Sequence, residues 1–164
     1  MNGIVKSSLF VFFQIYFLTV LCNCPSGWSR YEKSCYHVSR DSASWAEAMK
    51  MCEIHGSFLA GIETDAEDQY IKTLLGAQRH STVYWVGGSD WDNEGEWKWE
   101  PHAIPFNFTN WHKGQPNNVG NYEHCLALHR VYHYEFADNN CHSPQHYLCE
   151  KPDTSSTETE NLGK

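Results

Sequence analysis

Seven cysteines, Cys22, Cys24, Cys35, Cys52, Cys125, Cys141 and Cys149, constrain this 164-residue chain more than any other feature. Their number becomes informative once the start of the chain is read. Lys6 precedes an apolar run from Leu9 to Leu21, broken only by Gln14 and Thr19. A membrane helix needs roughly 20 apolar residues, whereas the apolar core of a signal peptide needs roughly 7–15. Residues 1–22 are therefore expected to be a signal peptide, with Val20 and Cys22 as the small residues of the cleavage site. An uncleaved type II anchor is the alternative, disfavoured because the domain starts without a stalk. Cleavage after Cys22 leaves six cysteines, an even number suited to an oxidising compartment. The chain is accordingly expected to be secreted and extracellular. Spacing alone does not choose among the many pairings of six cysteines.

The mature domain is expected over residues 23–151, followed by a disordered tail over 152–164. That tail is rich in Ser, Thr and Glu and nearly devoid of apolar side chains. Within the domain two helices are legible. Trp45, Ala48, Met49 and Cys52 form one apolar face behind a Ser42 or Ser44 cap. Thr64 and Glu67 have capping-box spacing ahead of Tyr70, Ile71, Leu74 and Leu75, and Gly76 is expected to end that helix. The period then changes. Val83 to Gly88 reads as a buried strand, and Glu96 to Glu100 alternates with period two. Cys125 to Leu128 and His146 to Cys149 read as two further strands. From Pro101 to Glu123 runs a long loop rich in Pro, Gly and Asn, of the kind that carries function in a compact domain. Helices first and strands after define an α+β fold. Aromatic residues make up 15% of the chain, enough for a packed core. The formal net charge of −8, with no basic patch, argues against a nucleic-acid partner; the acidic balance suits calcium ligation or plain solubility.

Several stretches together resemble the C-type lectin-like family over nearly the whole mature chain. They are Cys24-Pro25-Ser26-Gly27-Trp28, Ser34-Cys35-Tyr36, the Trp45 to Cys52 helix, Phe58-Leu59-Ala60-Gly61-Ile62 and Tyr84-Trp85-Val86-Gly87-Gly88. Gly95-Glu96-Trp97-Lys98-Trp99, Asn110-Trp111, Gln115-Pro116-Asn117 and Cys149 follow in family order. Asn107 to Trp111 and Tyr122 to Cys125 look most like the perlucin-like lectins of molluscs. The resemblance implies the long form of the C-type lectin-like fold, with two helices packed on short antiparallel strands. It also implies the disulfides Cys24–Cys35, Cys52–Cys149 and Cys125–Cys141.

The chemistry of a calcium-dependent sugar site can be stated from first principles. Two adjacent sugar hydroxyls can both reach one Ca²⁺, while each still donates to a carboxylate or amide oxygen and accepts from an amide NH₂. Gln115 and Asn117 flank Pro116, and a cis bond before that proline would let both side chains face one side. The family's sugar-site ligands fall on Gln115, Asn117, Glu123 and Asp138. One departure matters: the family's Trp-Asn-Asp reads Phe136-Ala137-Asp138 here, so Ala137 offers no oxygen. Calcium binding is therefore expected to be weaker than at a full family site. Gln-Pro-Asn combines the family's mannose-type and galactose-type motifs, and the reading leans to galactose-type or broad specificity. The rival reading is a turn in a degenerate site. A second calcium site is conceivable on Asp90, Glu94 and Asn118, near Glu123, where His124 replaces an acid; a solvated polar loop is the plainer account.

The ten histidines carry no helical zinc pair. His129 and His133 have the spacing but follow a strand, and these, with His112, His124 and His142, read as surface residues. No activated serine or phosphate-binding loop is present, so an enzyme is not expected. Asp65 and Glu67 read as acidic charge at a helix start. Asn107-Phe108-Thr109 is an N-glycosylation sequon that stays bare if Asn107 is buried. Trp111 is expected to be a core residue beneath the loop rather than a sugar platform. The expected function is calcium-dependent carbohydrate binding in microbial recognition and innate defence. The rivals are an acidic shell-matrix protein binding calcium carbonate and a calcium-independent protein-binding domain.

Overall fold

The structure, a computed structural model, describes residues 24–79 and 81–153. The expected signal peptide and most of the expected tail lie outside the described residues. In chain order the elements are β1 (Ser29–Tyr31), β2 (Ser34–Val38), α1 (Trp45–Ile54), β3 (Phe58–Leu59), α2 (Asp65–Gly76) and β4 (Val83–Ser89). They continue as β5 (Lys98–Trp99), β6 (Ile104–Pro105), β7 (Glu123–His129), β8 (Phe136–Asn140) and β9 (His146–Pro152). This is the expected α+β C-type lectin fold.

Local chemistry explains both helix starts. Ser44 caps α1, and the Glu47 carboxylate accepts its backbone N–H at 2.9 Å and its hydroxyl at 2.7 Å. The Thr64 hydroxyl caps α2 by accepting the Glu67 N–H at 3.2 Å. Trp45, Ala48 and Cys52 bury one face of α1; Ile71 and Leu75 bury one face of α2. Gly76 ends α2 as expected, as its last helical residue, and Ala77 follows in right-handed geometry.

The sheet is mixed, which corrects the expectation of antiparallel strands throughout. β9 runs antiparallel to β2 from Ser34↔Pro152 to Val38↔Leu148, but parallel to β4 at Tyr84↔His146 and Trp85↔Tyr147. The last strand enters between β2 and β4, which run in opposite directions, so one neighbour must run the same way. β4 also pairs with β7, and β7 with β8. β9 extends further than expected. Pro152 pairs with Ser34, and Asp153 is buried, donates its N–H to the Lys33 carbonyl and meets Arg30 at 2.9 Å. Residues 152 and 153 thus belong to the fold, because a neighbouring strand and an arginine hold them. The expected strand Glu96 to Glu100 shortens to Lys98–Trp99, although Trp97 and Trp99 are both buried as period two requires.

The core has two parts. One gathers Tyr36, Ile62, Ile71, Leu75, Val86, Leu126 and Phe136; the other surrounds Trp45, Trp85 and the cysteines of two disulfides. Two of the buried indoles bond across elements, while those of Trp97 and Trp99 have no hydrogen-bond partner. Trp45 Nε1 donates to the Val86 carbonyl at 2.8 Å, and Trp85 Nε1 to the Ala43 carbonyl at 3.0 Å. Trp111 packs against the first cluster, its ring 4.9 Å from Trp97 and 5.7 Å from Phe136. The three disulfides are Cys24–Cys35, Cys52–Cys149 and Cys125–Cys141. Among the described residues no helix is long and apolar enough to cross a membrane.

Candidate functional site

The long loop is held against the β7–β8 hairpin by carboxylates. Asp138, buried near the middle of β8, accepts the Asn117 N–H through both oxygens at 3.0 Å. One of those oxygens also accepts the Asn118 N–H. Glu123, at the start of β7, accepts the Val119 N–H at 3.0 Å, and its own N–H donates to Asn118 Oδ1 at 3.0 Å. Asn118 sits in the left-handed region at φ 40°, where asparagine is tolerated, and this conformation turns the loop back on itself. The Gln115–Pro116 bond is cis. Further along, α2 contributes an anchor the sequence reading missed. The buried Asp68 carboxylate receives Asn110 Nδ2 at 2.9 Å and Lys72 at 2.7 Å.

Of the four expected sugar-site residues, Glu123 and Asp138 are near neighbours: the Glu123 carboxyl is held above its ordinary value by burial and, secondarily, by the Asp138 charge. Gln115 is half-buried, and its Oε1 is a buried acceptor without a hydrogen-bond partner. Asn117 is exposed and engages Asp138 through its backbone. Ala137 is buried at the Ala127 position of the hairpin and presents no polar atom.

The three residues expected for a second site also converge. Asp90 is 2% exposed, and its Oδ2 accepts the Gly95 N–H at 2.8 Å. His124 Nδ1 lies 3.1 Å from Asp90 Oδ1 and 3.4 Å from Glu94 Oε2. Asn118 Nδ2 donates to Glu94 at 2.6 Å. The three ligand atoms of Asp90, Glu94 and His124 lie within 4.8 Å of one another. His124 is thus a member of this group, which corrects its reading as a surface residue. His129 is corrected likewise, whereas His112, with 32% of its side chain exposed, stays at the surface. His112 Nδ1 sits 2.7 Å from Glu135, and burial holds the half-buried His129 below its ordinary pKa. His133 and His142 are exposed.

Glu67 lies in the first turn of α2 as expected and has a second role. Its carboxylate accepts the Tyr36 hydroxyl, while Glu150 accepts the Ser34 hydroxyl at 2.6 Å and the Gly61 N–H at 3.2 Å. Asn107 is exposed, so the sequon is accessible.

The residues fit a cation at the first site. Gln115 Oε1 is a buried acceptor without a donor, and Glu123 and Asp138 add carboxylate oxygens, the ligand type that Ca²⁺ takes.

The fold, the three disulfides and the carboxylate-held loop define a C-type lectin domain. The chain belongs to that family: the lectin C-type domain matches residues 41–151. It is 40% identical over 129 residues to perlucin of Haliotis laevigata, covering 78% of this chain and 83% of that protein. A perlucin-like protein of Mytilus galloprovincialis is 35% identical over 133 residues, covering 80% and 85%. Among solved structures, the human scavenger receptor C-type lectin carbohydrate-recognition domain superposes with a TM-score of 0.73 at 31% identity. That match covers 79% of this chain and 99% of that one.

Proposed function

We propose that this protein is a secreted lectin that binds carbohydrate through Ca²⁺ held by Gln115, Asn117, Glu123 and Asp138. The observation that carries the reading is the buried, unpartnered Gln115 Oε1 in the loop whose backbone N–H groups Asp138 and Glu123 hold. When bound, the ion supplies a hard Lewis acid on which two vicinal hydroxyls can replace water. The chain's own groups do the rest. Asp138 and Glu123 hold the loop backbone and so pre-position it before sugar arrives. The amides of Gln115 and Asn117 can each donate and accept, which suits a galactose-type or broad hydroxyl pattern. With Ala137 in the strand, fewer oxygens are available and the ion is held more weakly than at a full family site. A glycan-recognition role at microbial surfaces follows from such a site in an extracellular protein, and the exposed Asn107 is a glycosylation position, read out as a mass loss on endoglycosidase treatment.

The test is a glycan array with and without a chelator, repeated on Gln115→Ala and Ala137→Asn. Binding that disappears with chelator, falls in Gln115→Ala and strengthens in Ala137→Asn supports the reading. Binding untouched by chelator points to calcium-independent recognition, and capture by calcium carbonate without any glycan signal points to a mineral-binding protein.

A further inference from the structure

Beside the candidate sugar site, Asp90, Glu94 and His124 form a group whose donor set disagrees with calcium. Ca²⁺ takes six to eight ligands, all oxygen, and a neutral imidazole is a poor substitute for any of them. Here the innermost member of the group is Asp90, and His124, the second residue of β7, stands edge-on to the Trp91 ring at 5.6 Å. Its Nδ1 faces both carboxylates, at 3.1 Å and 3.4 Å. Zinc prefers this mixture. It accepts imidazole nitrogen with carboxylate oxygen at about 2.0–2.2 Å, and the edges of such a tetrahedron are about 3.3 Å.

We propose that Asp90, Glu94 and His124 form a binding site for Zn²⁺, selective against Ca²⁺. Three protein ligands leave one position open, as in zinc sites that accept water or an exogenous ligand. The second oxygen of Asp90 is held from behind by the Gly95 N–H at 2.8 Å, and Asn118 Nδ2 donates at 2.6 Å to Glu94 Oε2, the oxygen that faces His124. Outer contacts of this kind set ligand direction and affinity. To ligate, His124 presents the lone pair of Nδ1 and carries its proton on Nε2. His124 also lines an open cavity of about 590 Å³ shared with Trp91, Tyr122, Asn140 and His142. The exposed His142 places a second imidazole in the wall of the same cavity.

The site is separate from the ligands proposed for sugar, and the experiment keeps the two apart. The disulfide-bonded chain is titrated calorimetrically with zinc chloride and with calcium chloride. His124→Asp, His124→Asn, His112→Asn and Gln115→Ala are titrated alongside, their folding checked by near-ultraviolet circular dichroism. Zinc is expected to bind one site at least about tenfold more tightly than calcium binds there. His124→Asp should reverse that preference, and His124→Asn should weaken zinc by about tenfold or more. His112→Asn and Gln115→Ala should leave the zinc isotherm unchanged, even where Gln115→Ala abolishes glycan binding. No saturable zinc binding, a zinc isotherm indifferent to both His124 variants, or zinc lost in Gln115→Ala would each overturn the assignment.

Discussion

Asp138 holds Asn117 by its backbone: both carboxylate oxygens lie 3.0 Å from the Asn117 nitrogen, and one also takes the N–H of Asn118. A single buried strand residue thereby sets the course of the loop across the candidate site. Asp138→Asn keeps the shape but removes the charge and puts an NH₂ where one of the acceptors was. Hydrogen bonds to a charged group contribute about 1.5–3 kcal/mol. The variant should lose about that much stability in urea and lose chelator-sensitive glycan binding. If glycan binding survives unchanged, Asp138 is only a loop anchor.

The Cys52–Cys149 bridge joins α1 to β9 across 97 residues of sequence, whereas Cys24–Cys35 spans 11. In the chain-entropy account the longer loop constrains the unfolded chain more, by about 4–5 kcal/mol against about 3 kcal/mol. The Cys52→Ala/Cys149→Ala pair should therefore lower the urea midpoint more than the Cys24→Ala/Cys35→Ala pair. The opposite order would mean that residual structure in the unfolded chain, rather than loop length, decides the effect.

The parts of this fold legible in the sequence are those whose signal is local. The Trp45 and Thr64 helices declare themselves by apolar spacing and capping chemistry, and β4 by an unbroken apolar run. β8 does not, because Ala137-Asp138-Asn139-Asn140 has little strand preference and becomes a strand only by pairing with β7. The parallel pairing of β4 with β9 depends on where the last strand inserts, which no local pattern encodes. At the site, the residue types of Gln115, Asn117, Glu123 and Asp138 are readable, but the grip of Asp138 on backbone N–H groups is not, since every residue offers the same N–H. The partnership of His124 with Asp90 had a signal, a histidine beside Glu123 where an acid is usual. The Tyr36, Glu67 and Glu150 contacts cross more than 80 residues of chain between Glu67 and Glu150 and had none.

Gly87 supplies a packing test. A Cβ there would lie 2.7 Å from the Leu59 carbonyl oxygen and 3.3 Å from those of Ala60 and Glu100. These are backbone atoms, and Gly87 also bonds to two of the same residues, through N–H to Ala60 and carbonyl to Glu100, each at 2.8 Å. The neighbours cannot withdraw without breaking those bonds. Gly87→Ala should cost about 1–3 kcal/mol or more by denaturant unfolding. Gly61→Ala, whose Cβ would meet only the Trp99 ring at 3.6 Å, should be tolerated. Equal effects at the two positions would remove the steric account.

Glu150 makes stability depend on pH in a direction unusual for a carboxylate. Burial, reinforced by the Glu67 charge, pushes its pKa from 4.5 up to about 7, against the opposing pull of the Ser34, Gly61 and Tyr36 donors. Glu67 is raised as well, again chiefly by burial. Between the two Glu150 values the folded chain keeps a proton that the unfolded chain has released. The unfolded state then binds fewer protons, so stability falls as pH rises. The contribution is fully present below the unfolded pKa and lost as pH passes the folded one; at about 1.4 kcal/mol per unit it amounts to about 3 kcal/mol. Glu150→Gln removes the ionisation and keeps an acceptor for the Gly61 N–H. Its unfolding free energy should vary less than wild type between about pH 5 and about pH 8, and the variant should gain on wild type toward the alkaline end. Parallel pH profiles for the two proteins would show that Glu150 ionises in the folded state as readily as in the unfolded one.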